Sequence, residues 1–174
     1  MLHFDYGTFT HSANVAYYTL ILAHALGQTD RDALRAIGIG ALLHDIGKVG
    51  IPERILLKPG ALSPEERNLI RSHPTLGLLS LRDQHPLEFG QLMMVYQHHE
   101  RLDGSGYPVR LGGTEIHEWA RICAVADVFE ALTSDRPYKR ALSSAAALDV
   151  IEQGERKGLD PEYFRCWKLT LKTS

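Results

Sequence analysis

The sequence predicts an all-α domain of roughly eight helices. Three observations carry that prediction. Apolar residues recur at spacings of three and four, as in Val15, Tyr18, Leu22 and Leu26. Strand-like alternation of apolar and polar residues is nearly absent. Helix-starting residues punctuate the chain: Asp30, Ser63-Pro64-Glu65-Glu66 and Asp160-Pro161-Glu162. With 174 residues the chain is about one domain long. A domain of that length buries about 70% of its unfolded surface, so it needs no cross-links.

Taken in order, the first helix runs from His11 to Leu26 and stops at Gly27. Asp30 caps a second that reaches Leu43. Gly47, Gly50 and Pro52 then break the chain. The Ser63 helix ends before Pro74, because the residue preceding a proline disfavours helical dihedrals. A further helix covers Pro74 to Asp83, and Pro86 opens another that packs through Leu87, Leu92, Val95 and Tyr96. Arg101 to Thr114 carries Gly104, Gly106, Pro108, Gly112 and Gly113 and reads as a loop. Ile116 to Thr133 is helical, and Pro137 breaks it. Ser143 or Ser144 caps a helix toward Lys157, and Asp160 starts a short last one. No repeat, low-complexity tract or internal boundary divides the chain, so residues 1–174 read as a single domain.

Composition narrows the function. The hydrophobic fraction is 44% and the charged fraction 23%, which excludes a disordered or collagen-like chain. A net charge of -2 excludes a broad basic face, so duplex nucleic acid is not an expected partner. No run approaches the ~20 apolar residues of a membrane span. Cys123 and Cys166 form no CxxC pair, which argues against a zinc ribbon or disulfide framework and for a reducing compartment. Cys123 sits in an apolar segment and reads as a small buried hydrophobe. Nine histidines point instead to metal ligation or proton transfer.

His44-Asp45 closes the apolar run Ile39-Gly40-Ala41-Leu42-Leu43, and a carboxylate there can bridge two ions. Alone, the pair reads as a solvated or capping pair at a helix end. His73 precedes Pro74, and His98 and His99 adjoin at another helix end. Asp127 lies among Ala124, Val125, Ala126, Val128 and Phe129, where a lone carboxylate needs a cation or hydrogen bonds. His11 shares the stripe of Val15 and Tyr18 and by itself reads as a core histidine. Lys48, three residues after Asp45, can neutralise phosphate or help a leaving oxygen depart. Arg136 and Lys139 flank Pro137-Tyr138, offering a planar fork and a point charge to phosphate or a base edge.

The sequence resembles the HD-GYP proteins, a branch of the HD-domain metal-dependent phosphohydrolases. The matching residues are His11-Ser12 with Val15-Ala16, His44-Asp45-Ile46-Gly47-Lys48, His73-Pro74, His98-His99-Glu100-Arg101-Leu102-Asp103-Gly104-Ser105-Gly106-Tyr107-Pro108, Arg121-Ile122 through Ala126-Asp127, and Arg136-Pro137-Tyr138-Lys139. The resemblance runs from about Asp5 to Phe164. The resemblance implies an HD-domain helical bundle with a GYP loop. It implies metal ligands at His11, His44, Asp45, His73, His98, His99 and Asp127, with Asp45 bridging. Two six-coordinate ions have about twelve positions, of which these residues fill about eight. Such a donor set suits Fe or Mn foremost, with Ni, Co or Zn also compatible.

Some members of the family place a glutamate four residues before the first histidine to help hold a third metal. Gly7 stands there in this chain, which favours two divalent ions over three. Glu130 stands where the family usually has aspartate, and the sequence assigns it no role. The resemblance further implies hydrolysis of cyclic di-GMP to pGpG by a metal-bound hydroxide, with a second cut to GMP left open. Lys48 and Asp45 would be catalytic, and Arg136 and Lys139 would bind the substrate. Three alternatives stay open: another 3',3'-cyclic dinucleotide such as cyclic GMP-AMP, a nucleotide phosphohydrolase, and a catalytically weak cyclic-dinucleotide receptor. Tyr107 is expected to be structural or to face a GYP-loop protein partner, and Asp103 to orient a ligand histidine. His3, His24, His85 and His117 read as structural or surface residues. An upstream sensor or receiver domain and a place in the bacterial cytoplasm complete the expectation.

Overall fold

The computed structural model describes residues 6–83, 86–135, 140–155 and 158–172, leaving aside the side chains of 6–8 and 155. The helices run α1 (Tyr6–Ala25), α2 (Arg31–Leu43), α3 (Glu53–Leu56), α4 (Pro64–Ile70), α5 (His73–Leu81), α6 (Phe89–Gln97), α7 (Glu118–Thr133), α8 (Ser144–Val150) and α9 (Pro161–Thr170). The fold is all-α. Among the described residues no strand forms, and Asp103 and Gly112 pair in an isolated antiparallel bridge.

The capping residues act as their chemistry dictates. Asp30 accepts from the Ala33 amide at 2.8 Å at the head of α2. Ser63 and Glu66 satisfy each other's amides in a capping box at α4. Ser143 caps α8, and Asp160 accepts from the amides of Glu162 and Tyr163 at α9.

Helix α7 is the hub. It is apolar nearly all round and packs against α1, α6, α8 and α9. Tyr18 of α1, Phe129 of α7 and Trp167 of α9 meet with ring centroids 5.2–5.5 Å apart. Cys123 is fully buried among Val15, Leu22, Ile122 and Val125, as a small hydrophobe should be.

Helix α1 starts at Tyr6, five residues ahead of the expected His11, and three further elements differ from the sequence expectation. The break at Gly47 is a 3-10 helix over Ile46–Gly50, followed by the four-residue α3. It lies against α5 so closely that a Cβ on Gly47 would sit 1.9 Å from the His73 carbonyl oxygen. Helix α6 starts at Phe89 rather than Pro86, because Glu88 takes the capping position with Gln91 reaching back to its amide at 2.8 Å. Beyond α8 the chain passes through a π turn, Ile151–Glu155, rather than continuing as α-helix.

The Gly47 contact makes a prediction. Backbone meets backbone there, so no side chain can swing aside. Gly47→Ala is expected to destabilise the fold by about 3 kcal/mol, the upper end for overpacking. Urea denaturation checks it, and an unchanged midpoint refutes it.

Candidate metal centre

Three of the candidate histidines follow helix ends, and each ring turns Nδ1 onto a carbonyl of the helix's last residues. His44 Nδ1 donates to Ala41 O at 2.7 Å at the end of α2. His73 Nδ1 donates to Ile70 O at 2.8 Å at the end of α4. His98 Nδ1 lies 3.0 and 3.1 Å from Met94 O and Val95 O at the end of α6. With Nδ1 donating, each neutral ring carries its lone pair on Nε2. Those lone pairs converge on Asp45.

The carboxylate of Asp45 divides the donors into two sets. His11 Nε2 and His44 Nε2 each lie 3.4 Å from Asp45 Oδ2. His73 Nε2 lies 3.1 Å and His98 Nε2 3.8 Å from Asp45 Oδ1. Asp45, His73, His98 and His99 thus form one group with ligand atoms within 4.8 Å of one another, and His11, His44 and Asp45 form a second. Asp127 of α7 reaches toward both: its Oδ1 is 3.3 Å from His11 Nε2, and its Oδ2 is 3.9 Å from His99 Nδ1.

The donor set fits metal ions. His44 Nε2 and Asp45 Oδ1 are buried and have no hydrogen-bond partner. Asp45 Oδ1 lies near His73 Nε2, but two acceptors face each other there. His73 Nε2 and His98 Nε2 are 3.3 Å apart, again lone pair against lone pair. Burying facing acceptors is costly unless a cation lies between them. Imidazole with carboxylate suits first-row transition metals.

Electrostatics follow from burial. Burial keeps His98 neutral well below the usual histidine range and pushes His99 down to about 3. Burial opposes the charge on Asp45, yet His44 and Lys48 hold its carboxyl well below the usual range. Burial likewise opposes the charge on Asp127, which the bond from His11 overcomes. His11 is buried too, but Asp127, Asp45 and Glu130 outweigh that and raise it to about 11.

These shifts set the pH dependence of the metal-free protein. Below pH 6.5 the unfolded chain takes up protons on His98 and His99 that the folded chain refuses. Stability then falls with pH, by about 1.4 kcal/mol per unit for each histidine. The raised His11 works in the opposite sense: its contribution is complete below pH 6.5 and is lost as pH rises toward about 11. Maximum stability is expected near pH 6.5. Thermal melts of chelator-treated protein between pH 5 and 9 check this, and a monotonic rise across that range refutes it.

Lys48 lies on the 3-10 turn after Asp45, and its Nζ pairs with Asp45 Oδ2. The side chain is 30% exposed, so it meets the centre from the solvent side. Arg136 and Lys139 lie outside the described residues, as do His3 and His85. His24 is exposed at the far end of α1. His117 caps α7 by accepting from the Trp119 amide at 3.2 Å.

The loop after His98-His99 folds back onto them. Tyr107 stacks on His99 with centroids 4.6 Å apart and planes at 28°, and its amide donates to His99 O at 3.2 Å. Gly106 permits this approach, since a Cβ there would meet Arg101 N and Glu100 Cα at 2.5 Å. Asp103 accepts from the amide and hydroxyl of Ser105, so its carboxylate closes a turn in this loop.

Sequence reasoning missed two carboxylates. Glu100 is 2% exposed and accepts from three successive amides, Val109, Arg110 and Leu111, at 2.7–3.1 Å. Glu130 is 1% exposed and accepts from His11 Nδ1. The signal for Glu130 was present: like Asp127, one turn earlier, it is a carboxylate inside an apolar helical run.

Among the described residues no helix is long and apolar enough to cross a membrane. The chain is 42% identical over 170 residues to the cyclic di-GMP phosphodiesterase response regulator RpfG of Xanthomonas campestris, covering 97% of this chain and 44% of that protein. It is 38% identical over 161 residues to the 3'3'-cGAMP-specific phosphodiesterase 3 of Vibrio cholerae, covering 92% and 35%. The chain therefore spans less than half the length of these relatives. Bd1817, an HDG"Y"P protein from Bdellovibrio bacteriovorus, shares the fold with a TM-score of 0.81 at 23% identity, over 99% of this chain and 55% of that one. The family model described as HD domain matches residues 7–163. The helical fold, the paired donor sets around Asp45 and these matches agree: the chain belongs to the HD domain family.

Proposed function

We propose that this chain is a metal-dependent phosphodiesterase acting on a cyclic dinucleotide, cyclic di-GMP foremost. The observation that carries the reading is the division of donors between the two oxygens of Asp45. His11, His44, Asp45 and Asp127 would hold one divalent transition-metal ion. Asp45, His73, His98 and His99 would hold the other. Iron or manganese is favoured, with nickel, cobalt and zinc as further candidates. When bound, such a pair supplies Lewis acidity that activates water and clamps a phosphodiester.

The chain's own residues supply the rest. The helix-end carbonyls keep the ring nitrogens aimed inward, so no reorganisation is needed at the moment of reaction. Lys48 offers an ammonium to charge that develops on phosphate or on the departing oxygen. Arg136 and Lys139 are assigned to substrate binding through the resemblance alone. The same proposal takes residues 1–174 as a single domain serving as the output module of a longer bacterial protein, in the cytoplasm, with the GYP loop open to a protein partner.

A second reading is hydrolysis of 3',3'-cyclic GMP-AMP, favoured by the Vibrio relative. One experiment separates the readings: anaerobic purification with elemental analysis, followed by product chromatography on each cyclic dinucleotide. Conversion of cyclic di-GMP to pGpG is expected. Faster conversion of the hybrid dinucleotide favours the second reading. A fully metal-loaded protein that binds both and cuts neither is a receptor.

A further inference from the structure

His11 is held unlike His44, His73 and His98. Those three rings give Nδ1–H to a carbonyl at a helix end. The Nδ1 of His11 on α1 instead faces a carboxylate, Glu130 Oε2, on α7. Glu130 is itself tethered: its Oε1 accepts from Ser134 Oγ at 2.5 Å and from Asn14 Nδ2 at 3.4 Å. The residue is 1% exposed. It lies on the far side of the ring from the donor cluster, because His11 Nε2 is the atom near Asp127 and Asp45, at 3.3 and 3.4 Å.

We propose that Glu130 is a positioning residue for His11, fixing the ring through Nδ1–H so that Nε2 is presented to the ion shared with His44, Asp45 and Asp127. The inference rests on the metal reading above and deepens it by assigning one half of the centre its outer carboxylate. Two effects combine. The bond from Nδ1–H selects the tautomer with a free Nε2, and the negative charge behind the ring makes that nitrogen a stronger donor. Glu130 acts through His11, a member of one donor group, so its effect should fall on that ion alone. The His73, His98 and His99 side of the centre serves as an internal reference.

The test is calorimetric titration of Mn²⁺ into chelator-treated protein, with elemental analysis and a thermal melt of each variant. Glu130→Gln keeps an acceptor for Nδ1–H but removes the charge, whereas Glu130→Ala removes both. One of the two Mn²⁺ affinities is expected to weaken, about tenfold in Glu130→Gln and nearer 100-fold in Glu130→Ala. The second affinity should stay unchanged. Should Glu130→Ala fail to fold, Glu130→Gln decides. Equal weakening of both ions with a lowered melting temperature makes Glu130 a fold residue and overturns the proposal. Unchanged affinities in Glu130→Gln overturn it as well, while wild type still takes up two ions. Wild type that takes up no Mn²⁺ overturns the metal reading itself, and the role of Glu130 with it.

Discussion

Asp45→Ala is expected to lose both metal ions and all measurable turnover. Asp45 is the one residue common to the two donor groups. Removing any single histidine strips one ligand from one group. Removing Asp45 strips one from each and takes away the negative charge between them. Its Oδ1 serves the His73 and His98 side, and its Oδ2 serves the His11 and His44 side. Elemental analysis of anaerobically purified protein is the measurement. The near-isosteric Asp45→Asn should show the same loss with the fold kept. His24→Ala, at the exposed end of α1, should keep both ions. Two metals and a normal rate in Asp45→Ala would end the assignment of a shared carboxylate.

Lys48→Ala should behave in the opposite way, keeping its metals while losing rate. The ammonium pairs with Asp45 but offers no lone pair to a cation, so metal content should not change. Its proposed work comes when negative charge grows on phosphate oxygens and on the departing oxygen. A lost donor to such charge costs about 10²–10³-fold in kcat. KM should change little, because the interaction strengthens in the transition state rather than on binding. Steady-state kinetics beside elemental analysis decide the matter. A change confined to KM, or loss of metal, removes Lys48 from this role.

The parts of the fold legible in the sequence are those governed by local chemistry. Asp30, Ser63 with Glu66, and Asp160 each cap the helix they announce, because capping involves atoms within three residues. The 3-10 turn at Ile46–Gly50 was not legible because packing against α5 shapes it, and the short α3 was not because it packs on α4. The start of α6 was misplaced for a related reason. Pro86 is a strong local signal, but the Glu88 and Gln91 pair outcompetes it.

The site divides along the same line. His44, Asp45, His73, His98, His99, Asp127 and His11 could be named together only through the family resemblance. No local pattern joins residues that lie more than 100 positions apart. Glu130 and Glu100 went unassigned because each acts on a segment met only in three dimensions: α1 for one, the loop over Val109–Leu111 for the other.

The carbonyls that grip His44, His73 and His98 bear on time as well as on structure. In a protein that must fold around its ion, uptake waits for chain motions and competes with aggregation of the empty form. Here the bonds that turn the rings are made to the protein's own carbonyls at the ends of α2, α4 and α6, so the orientation does not depend on a cation. Loading should then proceed at the pace of an ion shedding water, first order in ion and first order in protein. Oxidative loss or exchange of the metal would leave behind a vessel ready to be refilled rather than a chain to be refolded.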